Sequence, residues 1–159
     1  MIVNRQRGVR VSVRGLEKFL ELAQKRLRVP AGAITVCLVS DSEMARWNAA
    51  YRGKNSPTDV LSFSTNGPEL DYPNRRTRGR RKGGSSSRGV FSASPYLGDI
   101  AIAPAVARRN ARGFGRPFDD EMRILILHGM LHLMGYDHEA DEGQMDRRER
   151  QLCRELGLA

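Results

Sequence analysis

All three histidines of this 159-residue chain fall in one stretch: His128, Gly129, Met130, Leu131, His132, Leu133, Met134, Gly135, Tyr136, Asp137 and His138. That placement constrains the local fold. Residues four apart on a helix share a face, so His128 and His132 can present two imidazoles to one ion. Gly135 stands where a helix can stop in a left-handed turn, letting the chain double back and bring in His138 as a third ligand from a loop. Three ligands leave one position open. Structural zinc is usually closed by four protein ligands rich in Cys, whereas catalytic zinc keeps a water in the fourth position. A lone histidine beside an apolar run is most often a core or helix-end residue. Three at this spacing, with none elsewhere, point to a metal centre.

The spacing equals that of the metzincin signature, in which a glycine also ends the helix before the third histidine. One position departs from it. The glutamate that follows the first histidine there, and acts as general base in peptide hydrolysis, is replaced here by Gly129. A metal can still lower the pKa of its bound water to about 7 and supply hydroxide without a side-chain base. Such a site favours a substrate whose transition state mainly needs charge neutralised, as a phosphodiester does, over an amide whose leaving nitrogen must be protonated. Asp137 and Asp99 remain available as bases from elsewhere in the fold.

At this length the chain suits a single domain over 1–159 with one proper core, and its 40% apolar and 28% charged residues are ordinary for a soluble protein. No apolar run approaches the ~20 residues of a membrane span. The N-terminal Met1, Ile2, Val3, Asn4 and Arg5 lack the apolar core of a secretory signal. Cys37 and Cys153 sit in apolar surroundings without a paired motif, which is expected of buried thiols in a reducing compartment, with cytoplasm as the default location. The formal charge of +9 is unevenly spread: Arg75, Arg76, Arg78, Arg80, Arg81, Lys82 and Arg88 carry seven of those charges with no acid among them. The segment at about 67–95 is therefore expected to be a mobile basic insertion, serving either as a solvated linker or as an arm that grips RNA backbone.

Alternation of Val9, Val11 and Val13 predicts a strand, and Leu16, Phe19, Leu20, Ala23 and Leu27 predict an amphipathic helix closed off by Pro30. Ala33 to Ser40 reads as a buried strand, and Asp41 is placed to N-cap a short helix reaching Tyr51. Further strands are expected at Asp59 to Phe63 and at Asp99 to Ala103. Pro104 opens a helix to about Arg112. Asp119 or Asp120 begins the helix carrying His128 and His132, and Met145, Leu152 and Leu156 stripe a last helix. The expected class is α+β, a small mixed β-sheet packed with about five helices.

Three motifs carry a resemblance: Trp47 to Phe63, with Tyr51, Arg52, Pro57, Thr58 and Asp59; Leu97 to Ile100; and His128 to His138. In this order they resemble the motifs of the YbeY family. The resemblance implies a metal-dependent, single-strand-specific endoribonuclease involved in 16S rRNA 3′-end maturation and ribosome quality control. It implies His128, His132 and His138 as ligands of one Zn2+ ion, and Arg52 with His128 as catalytic residues. The implied partners are single-stranded RNA, an rRNA precursor, and the ribosome or its small subunit. A guanidinium can bind two phosphate oxygens at once, which agrees with that role; the alternative for Arg52 is an exposed residue capping the carbonyls of the preceding helix. Asp99 could fix the tautomer of a ligand histidine or serve a structural turn, and Tyr136 could stack a base or pack beneath the metal loop. Most members of that family have a shorter, less basic connection at the position between Phe63 and Leu97 of this chain. Two other function classes stay open, a metzincin-like metallopeptidase and a ribosome-associated RNA-binding protein with a structural metal.

Overall fold

The structure is a computed structural model and describes residues 1–65 and 96–158; the basic insertion expected at about 67–95 lies outside the described residues. The chain is α+β. Its elements in order are β1 (Ile2–Asn4), α1 (Val13–Leu27), β2 (Ile34–Leu38), α2 (Asp41–Arg52), β3 (Val60–Ser64), β4 (Gly98–Ile102), α3 (Pro104–Phe114), α4 (Phe118–Leu133) and α5 (Gln144–Glu155). The strands form one mixed sheet in the order β1-β2-β4-β3. β1, β2 and β4 run parallel, and β3 pairs antiparallel with β4, Ser62 standing opposite Ile100.

Side chains on a strand alternate between faces, and that period divides the core in two. Ile34, Val36, Leu38, Ile100 and Ile102 face a larger core shared with α1, α4 and α5. Cys37, Leu61, Phe63 and Ala101 face a smaller one, closed by Met44 and Trp47 of α2. α4 is apolar almost all round because it is covered almost all round: Met122, Ile124, Leu125, Ile126, Leu127, Met130, Leu131 and Leu133 are all buried. The central helix is thus a fixed platform for whatever its C-terminal turn carries.

Two glycines record how tightly α4 and β3 close on β4. A Cβ on Gly98, whose φ is +150°, would lie 2.1 Å from the Phe63 carbonyl oxygen, a separation no side chain tolerates. A Cβ on Gly129 would lie 2.7 Å from Cγ2 of Ile100. The position that distinguishes this histidine motif from a metzincin's is therefore a helix-to-sheet contact.

The expected strand at Val9, Val11 and Val13 is not formed. Val13 opens α1, whose N-cap is Ser12, with its hydroxyl accepting from the Gly15 N–H. Val9 is buried without a strand partner because the Gln6 side chain satisfies both of its backbone groups, donating to its carbonyl at 2.8 Å and accepting from its N–H at 2.9 Å. The sheet takes Ile2–Asn4 instead, with Ile2 beside Val36. Ser40, one residue before Asp41, caps α2 by accepting from the Glu43 N–H, which leaves the Asp41 carboxylate in the first turn, where the helix dipole favours it.

Candidate metal centre

His128 and His132 stand one turn apart in the last stretch of α4. Their Nε2 atoms approach to 3.2 Å, and their ring centroids lie 4.8 Å apart. The helix ends as the sequence predicts. Gly135 adopts φ +96°, its N–H donates to the His132 carbonyl, and the Tyr136 N–H reaches back to Leu131. The reversal brings the exposed His138 ring to 5.4 Å from His128 and 5.1 Å from His132, centroid to centroid. One donor atom from each histidine lies within 4.8 Å of the other two.

This donor set suits a divalent ion. Zinc at about 2.0–2.1 Å from each imidazole nitrogen holds those nitrogens roughly 3.3 Å apart in a tetrahedral site, and the α4 pair already meets that spacing. Only the loop-borne ring needs to draw closer. The site also favours a neutral His132: burial, then the neighbouring His128 and His138, holds its pKa below the ordinary value, opposed by a hydrogen bond to the Tyr136 backbone and by Asp137. A neutral imidazole has the lone pair a metal needs.

His128 has a partner that the sequence reading missed. Its Nδ1 lies 2.7 Å from Oε2 of Glu149, on α5. A signal was present in the pattern: Glu149 falls four residues after Met145 and three before Leu152, the two residues by which α5 is buried. A carboxylate on that stripe needs an inward-facing partner.

The rings open into a cleft of about 540 Å³ lined also by Tyr51, Arg52, Thr58, Asp59, Val60, Ser62, Tyr136, Asp137 and Glu139. Arg52 comes from the end of α2, where Tyr51 packs its ring on Phe63. The α2 carbonyls that Arg52 could have capped are taken by the N–H groups of Gly53 and Lys54, bonded to Ala49 and Asn48. The Arg52 guanidinium instead reaches across the mouth to Glu139, Nη2 to Oε1 at 3.2 Å. Arg52 and the three histidines thus share one cleft.

Asp99 does not fix a ligand histidine. It accepts from the Tyr96 hydroxyl at 2.6 Å, and that hydroxyl also bonds Thr35 at 3.0 Å. Strand alternation explains the difference, since Ile100 takes the face toward α4 and Asp99 is turned the other way. Burial, reinforced by the bond to Asp99, pushes the Tyr96 phenol pKa well up, so the pair is a phenol–carboxylate clasp. Asp137 does line the cleft, but its Oδ1 is engaged by the Glu139 N–H at 3.0 Å, shaping the loop that carries His138. Tyr136 packs partly buried against the main core, the second of the two roles weighed for it, and also contributes to the cleft wall.

The chain is similar to known proteins along nearly its whole length. The profile of the family described as Endoribonuclease YbeY matches residues 2–157. A protein named Endoribonuclease YbeY from Sulfurovum sp. (strain NBC37-1) is 31% identical over 156 residues, covering 98% of this chain and 90% of that protein. One of the same name from Koribacter versatilis (strain Ellin345) is 35% identical over 158 residues, covering 99% and 86%. A solution structure of a protein from Thermotoga maritima superposes with a TM-score of 0.51 at 26% identity, covering 98% of this chain and 89% of that one. With three histidines and an arginine gathered in one cleft and this match across the fold, the chain belongs to the YbeY family of endoribonucleases.

Proposed function

We propose that this chain, acting as one domain, is a zinc-dependent endoribonuclease that cuts single-stranded RNA. Its place in the cell, as the family resemblance implies, is 16S rRNA 3′-end maturation and ribosome quality control in the cytoplasm, with rRNA precursors and the small subunit as partners. The observation that carries the reading is the convergence of three imidazole donors and the Arg52 guanidinium on one cleft, in a member of an endoribonuclease family. No helix among the described residues is long and apolar enough to cross a membrane.

In this reading His128, His132 and His138 hold the ion, and the chain's own contribution to cleavage lies around it. A divalent ion bound there supplies Lewis acidity and an activated water. Arg52 binds the scissile phosphate through two oxygens, the phosphate replacing the Glu139 carboxylate that it meets in the structure. That exchange is easy, because both partners of the ion pair are well exposed and such a pair contributes at most about 1 kcal/mol. Imidazole donors suit zinc, and Ni2+ or Cu2+ binds such ligands more tightly, so the metal is set by supply as well as by the site.

The test is cleavage of a labelled single-stranded RNA beside the same sequence as a duplex. Chelated protein is expected to be inactive, zinc add-back to restore cutting, and the duplex to resist. Cutting that survives chelation would refute metal dependence, and equal cutting of the duplex would refute strand specificity. Hydrolysis of casein in place of RNA would revive the peptidase reading, and metal binding without either activity would favour the RNA-binding one.

Arg52→Ala is expected to lower the cleavage rate on the order of 10²–10³-fold, the usual cost of removing one donor to a developing anion. Zinc content should be unchanged. Arg52→Lys keeps the charge but loses the two-pronged geometry and should recover only part of the rate. Single-turnover rates with metal analysis of each variant check this; wild-type rates for Arg52→Ala would remove the arginine from the mechanism.

A further inference from the structure

We infer that Glu149 is a positioning residue for the metal centre. By accepting the Nδ1 proton of His128, it holds that imidazole in the tautomer whose Nε2 is unprotonated and directed at the ion. The inference rests on the metal-centre reading and adds to it a residue outside the three-histidine motif.

The geometry assigns opposite tasks to the two nitrogens of one ring. Nδ1 of His128 is 2.7 Å from the Glu149 carboxylate, while Nε2 of the same ring faces His132 Nε2 at 3.2 Å. A carboxylate accepts only, so the bond to Glu149 requires the proton on Nδ1 and leaves the Nε2 lone pair for a metal. A histidine ligand that donates its other N–H to a carboxylate is oriented by it and made more basic.

Glu149 is itself held. Met145 and Leu152, one turn to either side of it, are buried at 1% and 0% exposure. The start of α5 is pinned by Asp141, whose carboxylate accepts from the N–H groups of Gly143, Gln144 and Met145 at 2.7, 3.1 and 2.8 Å. Asp141 follows His138 by three residues, so one short segment delivers a ligand from its loop and then returns, through α5, the carboxylate that orients another ligand. His132 has a local polar neighbour in the backbone of Tyr136, four residues on. His128 is the ligand whose setting depends on a second helix.

The competing account is that the contact merely staples α5 to α4. The two accounts differ in what Glu149→Ala changes. Long-range proton–nitrogen NMR on metal-free, ¹⁵N-labelled protein reports the His128 tautomer, competition with a chromophoric chelator gives the Zn2+ affinity, and melting of the metal-free protein gives the stability. In wild type His128 is expected to carry its proton on Nδ1. Glu149→Ala should lose that preference and bind Zn2+ about 10- to 100-fold more weakly. Glu149→Gln, whose amide oxygen can still accept from Nδ1, should keep the tautomer and most of the affinity. A lowered melting temperature with wild-type tautomer and wild-type affinity in Glu149→Ala would establish the staple and overturn the inference. Failure of wild type itself to bind Zn2+ would overturn the parent reading as well, and is recognised by occurring without any substitution.

Discussion

His132→Ala is expected to abolish both zinc binding and RNA cleavage while leaving the fold in place. His132 touches both other proposed ligands, its Nε2 facing His128 and its ring packing against both, while its backbone carbonyl separately takes the Gly135 N–H that turns the chain toward His138. Two imidazoles remain, too few to hold a catalytic ion, which takes three protein ligands. A metal contributes several kcal/mol of transition-state stabilisation, so the rate should fall on the order of 10³-fold or more. Stability should tell the same story through mass action. An ion that binds the folded state alone adds about 2.7 kcal/mol at a hundred times its Kd. Zinc should therefore raise the melting temperature of wild type and leave that of the variant unmoved. The backbone carbonyl survives the substitution, so the metal-free variant should melt close to metal-free wild type. Equal cleavage by the two preparations would assign the activity to a contaminating nuclease and remove the central support for the proposed function.

How much of this was legible in the sequence depended on whether the signal was local. The α4 motif was legible because helical spacing and a turn glycine are properties of consecutive residues, and α1 was legible from its apolar stripe. The first strand was not, since three residues give periodicity nothing to work with. Val9, Val11 and Val13 alternate for other reasons, the first held by Gln6 and the last opening a helix. Asp99 was left open between two roles because the face a strand residue takes is fixed by register with β2 and β3, which a single strand's sequence does not contain. Glu149 lies 21 residues from its partner on another helix, and was visible only as a carboxylate on a buried stripe. Arg52 was reached through family resemblance; in the fold it is delivered to the cleft by α2, on the opposite side of the sheet from the core that holds α4.

Gly129 carries the second large effect. Gly129→Glu, which would write the metzincin motif in full, is expected to yield a destabilised protein without peptidase activity. The substitution gains about 0.5–1 kcal/mol of helix propensity by removing glycine. Against that, its Cβ would lie 2.7, 2.9 and 3.0 Å from three side-chain carbons of Ile100, in the middle of β4 where the strand has little room to retreat. Overpacking of this kind costs about 1–3 kcal/mol, and a carboxylate forced into that contact adds several more unless it finds a partner, so the clash wins. A net loss of about 3 kcal/mol or more is a large share of a typical domain's 5–15 kcal/mol. Gly129→Ala isolates the steric part and should still lose about 1–2 kcal/mol. Ile100→Ala removes the atoms in the way and has its own cavity cost of about 2–5 kcal/mol. In a double-mutant cycle Gly129→Ala should therefore cost less in the Ile100→Ala background, with a coupling of about 1 kcal/mol. Denaturant unfolding of the four proteins measures it. Additive effects would mean that α4 can lift from β4 without penalty, and the glycine would then need a chemical reason rather than a packing one. Coupling of the expected sign would explain the missing base physically: close contact of the metal-bearing helix with the sheet leaves no room for a glutamate, and a site so built is confined to chemistry that does not need one there.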